Sequence, residues 1–553
     1  MKSVKLLAAT LLAIVAVAVP LAVPGARADI EAQQGSGKAG GWAPRAAIKP
    51  DPSKILVPNG YKVGVFAVGL DTPSAATVDS DGSIWVAISG PLFMPGTEPP
   101  HVKVFDKGGN LVKEIGKGMF IAALNDIAWC ADSKKVYISE NGERIWELGG
   151  VNGELKLVVK DLMMGERRNG GITCKDGYLY FALGLPSNTG FADPDSHGWT
   201  DFPKDPFWVA HPDGFPPTPH DAVCRDMVHT GLNIRSSDGR MTGALLPAGV
   251  PAKPGQIIKA TIPCGGSVMR VKISDKDADG LYPHGKMEVY AMGFRNQSGV
   301  AFGPKGTRFE NALAVSDNGA SDLGNRRIAN SPEKLFIVTD KGQDAGFPDK
   351  DGFGFVTNKR SSLQMWTGSK FERPYPQLYI GEEPYLPKMP PYRFPAPGVR
   401  GTPVIASNPN PNGYINPVME WDANSPMDGI AWSPPAFGTS KETIFAAVYG
   451  ATDSGPESLV PTWPAIVQVD FLHPAGVKWN LFARNIDMGP NAYQKPENRG
   501  GLERTSDVVF SPDGKTMYVV DYGELYVDFT MPTPFYVTPK SGVVWAITYT
   551  GSK

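Results

Sequence analysis

What the chain lacks narrows its chemistry first. It holds four cysteines and seven histidines in 553 residues, with no CxxC, HxH or HExxH spacing, which argues against the commoner thiolate- and imidazole-built metal centres. No GxSxG, phosphate-cradling glycine loop or dinucleotide-binding glycine pattern stands between its proper flanks, so the usual motif-bearing hydrolases and nucleotide enzymes drop out. Charge of either sign is not in excess, with 54 Lys+Arg against 56 Asp+Glu. Without a basic run or an aromatic-interleaved basic patch, neither nucleic acid nor an anionic membrane is indicated as a partner. Beyond the first 28 residues, no stretch approaches the ~20 unbroken apolar residues of a membrane helix. Those first residues have a Lys2/Lys5 start, an apolar centre and Ala26-Arg27-Ala28 before Asp29, the layout of a secretory signal peptide. The expected product is exported, to the periplasm or outside the cell, and spans no membrane.

In that compartment the four cysteines predict two disulfides, with three pairings open. Cys224 and Cys264 flank a turn-rich insertion that one bridge would close, leaving Cys130 with Cys174. None is flanked as a reactive thiolate requires, so structural bridges are expected.

Proline (52) and glycine (63) are plentiful, which favours turns over long helices. They punctuate a repeat: an apolar strand, an Asp-Gly-type turn, and a second strand ending in small or polar residues. It reads PSAATVDSDGSIWVAIS from Pro73, NDIAWCADSKKVYISEN from Asn125 and NGGITCKDGYLYFALG from Asn169. SGVAFGPKG with ALAVSDNG follows from Ser298, DGIAWSPPAFG with IFAAVYG from Asp428, and SDVVFSPDGKTMYVVDYG from Ser506. A lone hairpin cannot bury its faces, so the six copies must stack, and radial stacking of small sheets makes a β-propeller. The predicted fold is therefore all-β, a six-bladed β-propeller with long loop insertions. Trp129, Phe302, Trp432 and Phe510 share one slot and are expected to pack blade on blade. Residues 29–54 read as a flexible lead-in and 55–553 as one propeller domain. The insertions near 185–264 and 355–424, without helical period, are expected as loops decorating one face.

The fourth copy carries more than fold. Residues 291–348 run AMGFRNQSGVAFGPKG, ALAVSDNGASDLGNRR and EKLFIVTDKGQDAGFP, and this pattern resembles the soluble quinoprotein glucose/sorbosone dehydrogenases. The resemblance extends from about Val57 to the end and thins inside the insertions. It implies pyrroloquinoline quinone and Ca²⁺ at the propeller mouth, a carbohydrate or aldehyde substrate, and an electron acceptor whose identity the sequence does not give. Arg295 and Asn296 match the family's cofactor-contacting pair, and Arg504 its last-blade arginine. Asp317-Asn318-Gly319-Ala320 falls where the family offers calcium its ligands, Gly319 and Ala320 through carbonyls and Asp317 or Asn318 through side-chain oxygen. Three departures accompany the match. Arg168 stands before Asn169 where the family has its base histidine, and an arginine cannot act as that base. No lysine stands at 448–451, and Ser506 replaces a second arginine. Asp126, Asp428 and Asp507, which open their copies at the axial end, are the substitute bases.

Those acids also suit a metal-dependent lactonase propeller resembling regucalcin, in which converging oxygens would hold a divalent ion; Asn125, Asn169 and Asp428 align in the copies, with Asp507 one residue on. The third class is a non-catalytic propeller gripping a glycan or a protein. Asp275 to Gly280 opens like a calcium-binding loop, but Lys286 falls where a bidentate glutamate is needed. His197, His211, His220 and His229, all in the first insertion, read as loop histidines, with His220 and His229 as remote candidates for a base.

Overall fold

A computed structural model describes residues 49–90, 98–141, 144–162, 169–191, 222–235, 239–320, 331–352, 354–355, 405, 408, 410–421, 425–450, 464–473, 476–486, 499–527 and 535–551. Among these, everything regular is β-strand except three short 3-10 turns. Each of the six repeats is the inner hairpin of a four-stranded antiparallel blade, extended by a fifth, two-residue strand in blade three (Gln343–Asp344, parallel) and in blade five (Ile55–Leu56). Blade one comprises Pro73–Val78, Ile84–Ile88, His101–Phe105 and Leu111–Ile115, and blade two Leu124–Cys130, Lys135–Glu140, Arg144–Leu148 and Leu155–Val159. Blade three comprises Asn169–Lys175, Tyr178–Leu183, Ser267–Lys272 and Glu288–Met292, and blade four Gln297–Phe302, Leu313–Asp317, Glu333–Val338 and Met419–Trp421. Blade five has Met427–Trp432, Thr443–Val448, Ala465–Asp470 and Lys478–Asn485. Blade six has Thr505–Phe510, Thr516–Asp521 and Gly542–Tyr549, and takes its outermost strand, Tyr61–Leu70, from the other end of the chain. The innermost strands neighbour one another in chain order, and that of blade six lies against that of blade one. The ring is closed.

Turn chemistry sets the hairpins. Asp176 and Gly177, with φ of 51° and 74°, join the first two strands of blade three through the primed two-residue turn whose twist matches the strands it connects. Side chains then alternate between the two faces of each blade, and both faces are covered by neighbours. The apolar core is consequently split into wedges, one between each adjacent pair of blades. The aromatic slot behaves as expected: Phe302 meets Tyr180 of blade three edge-on at 4.8 Å, Trp432 lies 5.1 Å from Phe309, and Phe510 meets Phe437 of blade five at 5.0 Å. Trp129 packs on the wedge between blades one and two. Trp545 is fully buried in its wedge; truncating such a ring costs about 3–5 kcal/mol.

The disulfides pair as anticipated. Cys130–Cys174 ties the inner strands of blades two and three, and Cys224–Cys264 closes part of the first insertion. That insertion, between Leu183 and Ser267, is more regular than a plain loop, since it holds two small ribbons, Met227–Val228 with Ile257–Ile258 and Asn233–Arg235 with Met241–Gly243. After blade four's third strand the chain crosses to blade three, where Gln343–Asp344 pairs in parallel with Glu288–Met292. The two insertions meet there: the Arg225 guanidinium donates to the Asn408 carbonyl, and the Val228 N–H to the Asn408 side chain. No helix among the described residues is long and apolar enough to cross a membrane. The leader expected over residues 1–28 lies outside the described residues.

Candidate functional site

Every inner strand carries a register shift within its first residues. It falls between Pro73 and Ala75, Leu124 and Asp126, Asn169 and Ile172, Gln297 and Gly299, Met427 and Ile430, and Thr505 and Asp507. A bulge bends its strand and re-aims side chains, so six of them in one ring define the axial mouth. The register aligns Asn125 with Asp428 and Ser506, and Asp126 with Asp507. Asn169 falls one residue earlier, level with Leu124, which corrects the alignment read from the sequence: matching Asn to Asn overlooked that Gly170 and Gly171 fill the bulge. Asn169 itself opens the inner strand of blade three. Arg168 lies outside the described residues.

Asp126 and Asp507 share a structural duty. Asp126 accepts from its neighbour Ile127 N–H at 2.8 Å and, across the joint, from Ile172 N–H of blade three at 2.7 Å. Asp507 likewise accepts from Val508 N–H at 2.8 Å and from Ala76 N–H of blade one at 2.9 Å. Burial pushes the Asp126 carboxyl up to about 7. Burial and then the charge of Asp126 push Asp507 well above the carboxylate range, with Asp428 adding to the push. The three acids therefore feel one another across the axis.

Asp428 is placed differently. Its Oδ1 accepts from Asn318 Nδ2 at 3.0 Å, and that amide also donates to Ser298 Oγ at 2.9 Å, while Asn318 Oδ1 accepts from Met427 N–H at 3.1 Å. The Asn-Gly turn of blade four is thereby tied to the axial acid of blade five.

The adjoining residues are equally fixed. Asp317 Oδ1 accepts from the N–H groups of Arg295 and Asn296 at 2.9 and 2.7 Å, and Oδ2 lies 3.8 Å from Lys334 Nζ. Burial raises this carboxyl, partly offset by Lys334. Asp521 holds the equivalent entry loop of blade six, accepting from the N–H groups of Glu503 and Arg504 at 2.9 and 2.8 Å. Asp317 thus serves foremost as a blade lock. The N–H of Gly319 donates to Glu333 at 2.6 Å and that of Ala320 to Ser331 Oγ at 2.6 Å. Because a trans peptide opposes its N–H and C=O, the second bond turns the Gly319 carbonyl away from Ser331. Arg295 is fully buried, and its Nε donates to Asn188 Oδ1 at 2.9 Å.

Arg504, also buried, lies with its guanidinium 5.4 Å from the Tyr449 ring centroid. Tyr449 stands in the stretch where the family lysine is missing; burial pushes its phenol well above its ordinary value. Neither Tyr449 nor Asn188 was given a role from the sequence: Tyr449 ends the fifth copy, IFAAVYG, with no charged or catalytic neighbour beside it, and Asn188 lies outside the repeats. Lys334, Lys350 and Asp351 were missed as well. Lys334 pairs with Asp351 at 2.6 Å, and burial brings the Lys350 ammonium down to about 8, its Nζ held by the carbonyls of Gly352 and Ile415. Charges inside an apparent turn, GFPDKDG, gave no sign of burial. The insertion cleft, open to solvent, is lined by residues that include Arg225, Phe294, Asp344 and Phe347, and contains none of the axial acids.

Other candidates separate from the site. His229 is buried with Nε2 on the Ala244 carbonyl and Nδ1 accepting from Gly231 N–H, so both ring nitrogens are committed to the insertion's own backbone. His197, His211 and His220 lie outside the described residues. In the loop resembling a calcium site, Asp277 Oδ1 accepts from the N–H groups of Asp279 and Leu281, an Asx-type turn.

No family model matches the chain, and no curated protein matches it in sequence. Among solved structures it is similar to the PQQ domain of pyranose dehydrogenase from Coprinopsis cinerea in its holo form, at 12% identity and TM-score 0.49 over 90% of this chain and 98% of that one. A calcium structure of the Carbohydrate-Active Enzymes Family AA12 protein from Trichoderma reesei aligns at 13% identity and TM-score 0.48, covering 91% and 98%. The soluble aldose sugar dehydrogenase from Escherichia coli, in its apo form, aligns at 14% identity and TM-score 0.45, covering 88% and 99%.

Proposed function

We propose that the chain is an exported dehydrogenase dependent on pyrroloquinoline quinone and Ca²⁺, oxidising a sugar hydroxyl or an aldehyde. The observation that carries the reading is the coupling of the Arg295-Asn296 loop, the Asn318-Gly319 turn and Asp428 into one hydrogen-bonded unit at the mouth. Two buried guanidiniums, Arg295 and Arg504, suit a planar anionic group that presents several carboxylates. The Gly319 and Ala320 carbonyls would hold the calcium, with Asn318 positioning the turn rather than ligating, since its oxygen already accepts from Met427 N–H. When bound, the quinone supplies the hydride acceptor.

The chain's own contribution is proton transfer and placement. Asp428, oriented through Oδ1 by Asn318, is assigned as the base that takes the substrate's hydroxyl proton while the hydride leaves its carbon. Asp126 and Asp507, each holding two backbone N–H groups, are staples and not bases. Tyr449 occupies the family lysine's place and braces Arg504 by its ring face.

Reconstitution with quinone and Ca²⁺, followed by dye reduction across aldoses and aldehydes, tests the reading. Asp428→Asn should cut turnover at least a hundredfold while leaving the bound-quinone absorbance intact, and Arg295→Ala should weaken quinone binding at least tenfold. No cofactor-dependent absorbance change at saturating quinone would sink the proposal. Metal-dependent lactone hydrolysis by the same preparation would instead favour the lactonase reading.

A further inference from the structure

We infer that Glu98, His101 and Glu114 form a binding site for a first-row divalent cation of the Zn²⁺ class on the mouth-side edge of blade one. His101 opens that blade's third strand, opposite Ile88, and Glu114 lies near the end of the fourth. One ligand atom from each of the three residues lies within 4.8 Å of the others.

The histidine makes this more than a pair of acids. His101 is fully buried. Its Nδ1 lies 2.7 Å from the Pro99 carbonyl, an acceptor only, so Nδ1 carries the proton and the neutral ring presents a lone pair at Nε2. Nε2 has no hydrogen-bond partner. It faces Glu98 Oε2 at 3.2 Å and Glu114 Oε1 at 3.5 Å, and Glu98 Oε2 is itself buried, with the Lys103 ammonium as its neighbour. Three acceptors thus converge on one point. No hydrogen-bond donor among the described residues reaches Nε2.

A metal ion would satisfy it. Two donors each about 2.0–2.1 Å from a tetrahedral ion stand roughly 3.3–3.4 Å apart, and the two measured separations bracket that edge. One imidazole with two carboxylates favours Zn²⁺ and its neighbours over Ca²⁺, and the Nδ1–H bond to Pro99 is the support that fixes a ligating ring. The competitor is internal: Lys103 Nζ lies 3.0 Å from Glu98 Oε2 and 3.1 Å from Glu114 Oε1. It balances the carboxylates without making a hydrogen bond to Nε2, and it must swing outward as an ion enters.

Titrating the full chain with Zn²⁺ by calorimetry, and with Co²⁺ by visible absorption, tests the inference. One equivalent should bind, with a Co²⁺ spectrum of tetrahedral type. Lys103→Met should tighten Zn²⁺ at least tenfold, and His101→Ala or the pair Glu98→Gln/Glu114→Gln should abolish that equivalent, with circular dichroism confirming the fold. Since His101→Ala empties a buried position, the glutamine pair decides if that variant does not fold. Unchanged Zn²⁺ stoichiometry and affinity in the folded variant, or no Co²⁺ band in the parent, overturns the site.

Discussion

Two kinds of joint close this ring, and they differ at one backbone amide. At the joint between blades three and four, a Cβ built on Gly171 would lie 2.7 Å from the N of Val300. At the joint between blades two and three, the equivalent N, that of Ile172, is 2.7 Å from Asp126 Oδ2, the far end of a side chain. Gly299 repeats the first arrangement against Ile430, and Asp507 the second against Ala76. Blades three to five therefore press backbone on backbone, while the aspartate joints stand wider by the reach of a carboxymethyl group. Asp126 and Asp507 are in the first place spacers. Their raised pKa values follow from filling those gaps with groups cut off from water.

Breaking the tight joints should cost most. Gly170→Ala would drive a methyl into the Gln297 carbonyl oxygen, backbone that cannot yield; a loss on the order of 4 kcal/mol or more is expected, seen as failure to recover folded protein. Emptying a wide joint should cost less. Asp126→Ala or Asp507→Ala strands two N–H groups and should lose about 2–4 kcal/mol in denaturant melts, with Asp126→Asn between it and the parent.

The joints should also differ in pH response. Asp126 titrates near 3.8 when unfolded and about 7 when folded, so between those values the folded state binds more protons. Stability should fall as pH rises through that window, with a slope of up to about 1.4 kcal/mol per pH unit for one proton. Asp126→Asn should flatten the slope, and an unchanged slope would mean that other buried acids carry it. The smallest effect belongs to the joint between blades one and two, where Ser74 Oγ donates to the Leu124 carbonyl at 2.7 Å; Ser74→Ala should cost about 1 kcal/mol.

The blade count, the inner hairpins, the aromatic slot and the disulfide pairing were legible because each rests on short-range pattern or on the pairing of a few cysteines. The site was legible only where a motif is contiguous. Arg295, Asn296 and the Asn318-Gly319 turn stand out in sequence, and they do share a corner of the mouth. That Asn318 bonds Asp428, or that Asp317 is held by Lys334, depends on register between strands about a hundred and about twenty residues away. Whether an acid is a base or a staple is equally hidden, since Asp126 and Asp428 look alike in the repeat and differ by one residue around a bulge. Tyr449 and His101 gave no signal, being single residues whose meaning lies in neighbours from other strands.

Among the described residues, the strand Tyr61–Leu70 pairs only with Gly542–Tyr549. At ribosomal speeds of roughly 5–20 residues per second, the early strand waits on the order of half a minute to a minute and a half before its mate exists. Throughout that interval Val63, Val65 and Val68 form an unpaired edge of the kind that recruits foreign strands. The strand Gly542–Tyr549 therefore decides whether the nascent chain closes on itself or on a neighbour.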